Sequence, residues 1–181
     1  MTPRHLFLTG DIQVGKSTII SCVTAELGVP VSGFRTVAVS AEGGESDIYL
    51  IPAAGTRDDC TPASLLAHRT PGRMPEVHPE VFGSCGVPLL ADSTGPLIVM
   101  DELGWMESSS SAFQAAVLSV LDGATPVLGV VRDRHTPFLD AVRAHPAVEV
   151  LVVTRENRRE MREVVSGMMR QRLNFRCADG K

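Results

Sequence analysis

Directly behind the short, largely apolar run His5–Thr9 stands Gly10-Asp-Ile-Gln-Val-Gly15-Lys16-Ser17, a full match to G-x-x-x-x-G-K-[ST]. Each fixed position has a physical task. The two glycines let the backbone take positive φ and turn its N–H groups inward, so that Gly10, Asp11, Ile12, Gln13, Val14 and Gly15 line a nest for phosphate oxygens. A helix beginning near Lys16 adds the positive end of its dipole. Lys16 then reaches the β- and γ-phosphates, the Ser17 hydroxyl ligates Mg²⁺, and Thr18 follows in the first turn. Chance produces this pattern in under about 1% of chains of this length, and the strand before it and the helical pattern after it are what the mechanism requires. Lys16 and Lys181 are the only lysines in a chain that otherwise uses arginine. A compact ammonium has been kept where a point charge suits phosphate.

Such a loop needs an α/β frame, and the rest of the chain supplies one. Apolar runs alternate with amphipathic stretches, the pattern of a mainly parallel sheet with helices on its faces. His5–Thr9 predicts a strand and Ser17–Leu27 a helix stopped by Gly28 and Pro30. Phe34–Ser40 and Asp47–Pro52 flank the turn Glu42-Gly-Gly-Glu45 as a β-hairpin after that helix. Ala53–Thr94 is rich in Gly, Pro, Ser and Thr, with short helices expected at Pro62–His68 and Pro79–Leu90. Further strands are expected at Leu97–Met100, Val127–Val131 and Val148–Val153. Helices are expected at Ser109–Leu121, Pro137–Ala144 and Asn157–Arg172, with a frayed tail from Asn174 to Lys181. The 181 residues suit a single domain, 1–181.

Leu97-Ile-Val-Met-Asp101-Glu102 is a buried strand ending in two carboxylates. Ligands gather at the carboxyl ends of parallel strands, which brings Asp101 to the edge that carries the loop. There Asp101 completes a Mg²⁺ shell, and Glu102 orients or deprotonates a water in line with the γ-phosphate. Glu107 fits either a supporting site position or a helix N-terminus. Hydrolysis also needs positive charge at the γ-phosphate. Arg132, which follows the strand Val127–Val131, is the first choice; Arg134 and Arg35 are further candidates. Asn157 and Arg158 follow the last strand, where loops touch the nucleotide base, although an asparagine there also serves as a helix cap. The arginines from Arg159 to Arg176 read as a solvated face.

The order Gly-x4-Gly-Lys-Ser, Gly33-Phe-Arg-Thr36, Val99-Met-Asp-Glu-Leu-Gly-Trp-Met-Glu-Ser108 and Val153-Thr-Arg-Glu-Asn-Arg158 resembles the family of small P-loop nucleoside triphosphatases. The likeness spans nearly the whole chain and is weakest between about residues 53 and 95. It implies a three-layer, RecA-like α/β domain that releases the terminal phosphate of several nucleoside triphosphates with Mg²⁺. It assigns Lys16 and Ser17 to phosphate and metal, Asp101 to metal and Glu102 to water. Two stretches depart from the family pattern: Asp11-Ile-Gln13-Val, where Pro and further Gly are common, and Ala38-Val39-Ser40, where relatives often carry a basic residue.

Composition narrows the partners. A formal net charge of -4 argues against a nucleic-acid partner, no apolar run is long enough to cross a bilayer, and no signal-peptide pattern opens the chain. Cys22, Cys60, Cys85 and Cys177 are widely separated, as free thiols in a cytoplasmic protein would be. No Asn-Lys-x-Asp guanine signature is present, so strict GTP specificity is not expected. Two other functions fit the same loop: a nucleotide or nucleoside kinase, whose acceptor pocket would form in Ala53–Thr94, and a nucleotide-dependent regulatory module.

Overall fold

The computed structural model describes residues 3–178, of which 175–178 are described by backbone alone. Its frame is one sheet of eight strands: β1 (His5–Thr9), β2 (Val31–Ser40), β3 (Ser46–Pro52), β4 (Leu65–Arg69), β5 (Glu76–Val77), β6 (Leu97–Leu103), β7 (Val127–Val131) and β8 (Val148–Val152). Their spatial order is β5-β4-β3-β2-β6-β7-β1-β8. The five strands from β2 to β8 run parallel, and β3, β4 and β5 extend the β2 edge antiparallel. β7 stands between β1, which leads into the glycine loop, and β6, which carries the acidic pair. That inserted strand is what distinguishes a RecA-like sheet from a GTPase-like one.

Alternation along the strands divides the core in two. Leu6 and Leu8 of β1 face α1 (Lys16–Leu27) and α5 (Arg158–Ala178), packing on Ile20, Val23, Val165 and Met169. Phe7 faces the other way, into the layer of α2 (Val87–Ala91), α3 (Ser111–Asp122) and α4 (Pro137–Ala144), with Phe34, Phe113 and Leu139. The result is three layers, as the sequence predicts.

Four local expectations need correction. Pro62–His68 is not a helix: a single turn at Pro62–Ser64 leads into β4. The open edge of β3 offers a hydrogen-bond ladder, and Leu66 and Ala67 become fully buried by taking it. Pro79–Leu90 is helical, but it passes through a wide turn at Phe82–Gly86 before α2. The tail does not fray at Asn174, since α5 continues to Ala178; residues 179–181 lie outside the described part. Arg172 fastens that helix, donating through Nη2 to Glu149 Oε2 at 2.7 Å and through Nε to the Pro3 carbonyl at 2.9 Å. Arg172 is only 7% exposed and Arg162 grips Glu26, so α5 does not present a uniformly solvated arginine face. The side chain of Arg176 lies outside the described part.

Candidate active site

The loop between β1 and α1 is held open by its glycines. Gly10 has φ 130°, and a Cβ there would lie 2.2 Å from the Val153 carbonyl oxygen, so any other residue would push the loop off the sheet. Gly15, at φ 106°, forms the N-cap of α1. Gln13 also takes a left-handed conformation, φ 62°, which side chains other than glycine's seldom adopt. Val14 turns into the core beside Leu6 and Val153, so its part in the loop is played by its backbone.

Lys16 is buried, and its ammonium donates to the carbonyls of Gly10 at 2.8 Å and Asp11 at 2.6 Å. Burial lowers its pKa from the usual lysine value, while the nearby carboxylates of Glu102, Asp101 and Asp11 oppose that fall. Ser17 donates its hydroxyl to Asp101 Oδ1 at 2.9 Å. Asp101 is buried, and burial pushes its pKa up to about 6, against the Ser17 hydrogen bond. A buried carboxylate beside a hydroxyl, both hard oxygen donors, fits a small divalent cation such as Mg²⁺.

Glu102 turns toward a different partner: Arg132 Nε donates to its Oε1. The Arg132 backbone is fixed on both sides, its N–H bonded to Leu103 O at 2.9 Å and its carbonyl taken by Arg143. Glu107 lies below them, 2% exposed, accepting the Gly104 N–H at 2.9 Å. Burial pushes its pKa up to about 7. Glu107 stands in the first turn of the short helix Met106–Ser109 and also props the loop that follows Glu102, so the geometry fits both roles open to it in the sequence.

These groups open onto one cleft of about 710 Å³. Gly10, Asp11, Ile12, Gln13, Gly15, Lys16, Ser17 and Thr18 line it from the loop, and Glu102, Arg132 and Arg134 from the ends of β6 and β7. Asp101 stands behind Ser17. Arg35 instead donates to the Gly55 carbonyl at 2.7 Å, outside the lining. Asn157 and Arg158 are also outside it. The Asn157 amide is committed to backbone, accepting from Thr154 N–H at 2.8 Å and donating to Val152 O at 3.0 Å. Arg158 runs behind the loop, its Cδ 3.9 Å from the point where a Gly15 Cβ would sit. Thr36 and Ala38 join the lining from β2, and Ile48 and Arg69 do so without any motif to announce them; only the pairing of β2, β3 and β4 brings them there.

Known proteins share this fold and much of this sequence. Over 178 residues the chain is 33% identical to the human cancer-related nucleoside-triphosphatase, covering 87% of this chain and 92% of that one. It is 35% identical over 163 residues to the nucleoside-triphosphatase THEP1 of Thermococcus kodakarensis, with 85% and 87% covered. The solution structure of a human cancer-related nucleoside triphosphatase superposes with a TM-score of 0.69 at 29% identity, covering 93% and 98% of the two chains. The crystal structure of THEP1 from Aquifex aeolicus, at 22% identity, shares the fold with the same score over 89% and 96%. The family described as NTPase matches residues 5–166. With the glycine loop, the acidic strand end and the RecA-like strand order in place, the chain belongs to that NTPase family.

Proposed function

We propose that this chain is a single-domain nucleoside triphosphatase, which binds a nucleoside triphosphate with Mg²⁺ at Gly10–Thr18 and releases its terminal phosphate. The observation that carries the reading is convergence. Lys16, the Ser17–Asp101 pair and the Glu102–Arg132 pair come from α1, β6 and the end of β7, and meet around one cleft.

The inward-turned amides of the loop and the Lys16 ammonium bind the β- and γ-phosphates. Ser17 and Asp101 would hold the Mg²⁺ ion, which would supply positive charge to the phosphates. Glu102 takes a proton from the attacking water as its oxygen bonds to the γ-phosphorus and the bond to the β,γ-bridging oxygen breaks. Arg132 passes from the Glu102 carboxylate to the γ-phosphate oxygens, where negative charge gathers. Glu107 keeps the Gly104 turn in place, so the Glu102 carboxylate keeps its aim. Broad base tolerance fits the commitment of the Asn157 amide to backbone. The free thiols of Cys22, Cys60 and Cys85 fit a cytoplasmic setting, and the net charge of -4 argues against a nucleic-acid partner.

The test is phosphate release from ATP, GTP, CTP and UTP, with Mg²⁺ and then with a chelator. Phosphate should appear from several of them and stop on chelation. If none yields phosphate above a blank, the hydrolase reading is wrong.

A further inference from the structure

The cleft extends past the phosphate loop. Its outer part is lined by Thr36 and Ala38 of β2, Ile48 of β3 and Arg69 of β4, with Trp105 and Met106 from the segment after Glu102. Register puts the strand residues on one face: Ala38 pairs with Ile48, Ile48 with Ala67, and Arg69 follows Ala67 by two. His68, on the opposite face, is tied to Asp47 at 2.7 Å. The Arg69 guanidinium, by contrast, has no hydrogen-bond or ion-pair partner among the described residues.

Distance decides what Arg69 can serve. At about 4.8 Å per strand step, β4 lies about 14 Å from β6 and about 24 Å from β1. A γ-phosphate held by Lys16 and Ser17 beside Asp101 sits near the β6 end. An arginine side chain spans only part of the interval, which leaves room for one further anionic group between its guanidinium and the γ-phosphate. Trp105, Met106, Ile48 and Ala38 supply an apolar bed of the kind that takes a planar ring.

From this geometry we infer that the outer cleft binds a nucleoside monophosphate, whose phosphate lies between Arg69 and the γ-phosphate and accepts the phosphoryl group in place of water. The inference rests on the triphosphate-binding reading of the Gly10–Thr18 loop. In the transfer an acceptor phosphate oxygen bonds to the γ-phosphorus as the bond to the β,γ-bridging oxygen breaks. The triphosphate becomes a diphosphate and so does the acceptor. An ionised acceptor oxygen has no proton to lose, so the transfer bypasses the step that Glu102 performs for water.

The experiment incubates the full chain with Mg²⁺ and ATP or GTP, together with AMP, GMP, CMP, UMP or dTMP whose base differs from the donor's. Acceptor diphosphate and inorganic phosphate are separated by ion-exchange chromatography. At least one acceptor should gain a phosphate, with less inorganic phosphate formed. Arg69→Ala should lower transfer about tenfold or more and leave acceptor-free hydrolysis unchanged, Arg69→Lys should restore part of the transfer, and Glu102→Gln should lose hydrolysis more than transfer. Hydrolysis without transfer to any monophosphate would overturn the inference and leave the hydrolase reading standing. A raised KM for ATP in acceptor-free Arg69→Ala would also overturn it, by giving the pocket to the donor's own nucleoside. Loss of both reactions in the unaltered chain would overturn both readings.

Discussion

Arg132 donates its Nε hydrogen to the Glu102 carboxylate, which pairs the cation proposed for the γ-phosphate with the base proposed for water. In the proposed mechanism the triphosphate competes for Arg132 and so frees the carboxylate. Glu102→Gln is therefore expected to bind nucleotide and to lose about 100-fold or more in kcat. Calorimetric titration and phosphate release, run on the same preparation, check the two halves. An unchanged kcat would remove Glu102 from the water-activating role.

Among the described residues the Lys16 ammonium bonds only to carbonyls of its own loop, so replacing it leaves the helix start in place and takes away the cation. Lys16→Ala should weaken triphosphate binding by more than about tenfold with little change in the circular dichroism spectrum. Binding at the original strength would contradict the placement of the phosphates.

Acid should unfold the protein partly through His5. Its ring is fully buried, with Nε2 donating to Leu121 O at 2.8 Å and Nδ1 accepting from Val127 N–H at 3.2 Å, a pattern only the neutral ring can make. Burial lowers its pKa from 6.5 to about 4. The neutral ring's contribution is whole above pH 6.5 and is lost as the pH falls toward 4, amounting to roughly 3 kcal/mol. Asp101 and Glu107, whose pKa values are raised by burial, act in the opposite sense over the same range. Urea titrations of the native chain and His5→Gln between pH 7.5 and 4 isolate the histidine. The variant should show a flatter acid loss, and parallel curves would count against it.

Arg172 is the fastening of the last helix. Arg172→Ala leaves Glu149 and the Pro3 carbonyl without their donor, and should cost about 3 kcal/mol. Denaturant midpoints measure it. A shift below about 0.5 kcal/mol would make the contact dispensable.

How much of this was legible in the sequence follows from the range of each signal. The Gly10–Ser17 loop and the Asp101–Glu102 pair could be read because their chemistry is local: a fixed spacing, a strand before, a turn after. Arg132 could be read from its place behind an apolar strand. β4 could not, since Leu65–Arg69 has no alternation of its own and becomes a strand only because β3 offers an edge. Arg69 was hidden for the same reason. Arg172 looks in sequence like its solvated neighbours, and Asn157 reads equally as a base contact or a helix cap, its backbone partners being visible only in the fold. In each case the deciding contact is made by residues far away in the chain or by main-chain atoms that no residue type reveals.

The bond from Ser17 to Asp101 joins segments 84 positions apart, across a strand that belongs to neither. A chain that has not yet inserted β7 keeps Ser17 and Asp101 apart, so the proposed cation seat exists only as two loose halves. Under the proposed function, nucleotide and magnesium would act as a clasp on the finished sheet, adding about 2.7 kcal/mol to its stability when present at a hundred times their Kd, and the melting temperature of the protein would become a gauge of how much fuel surrounds it.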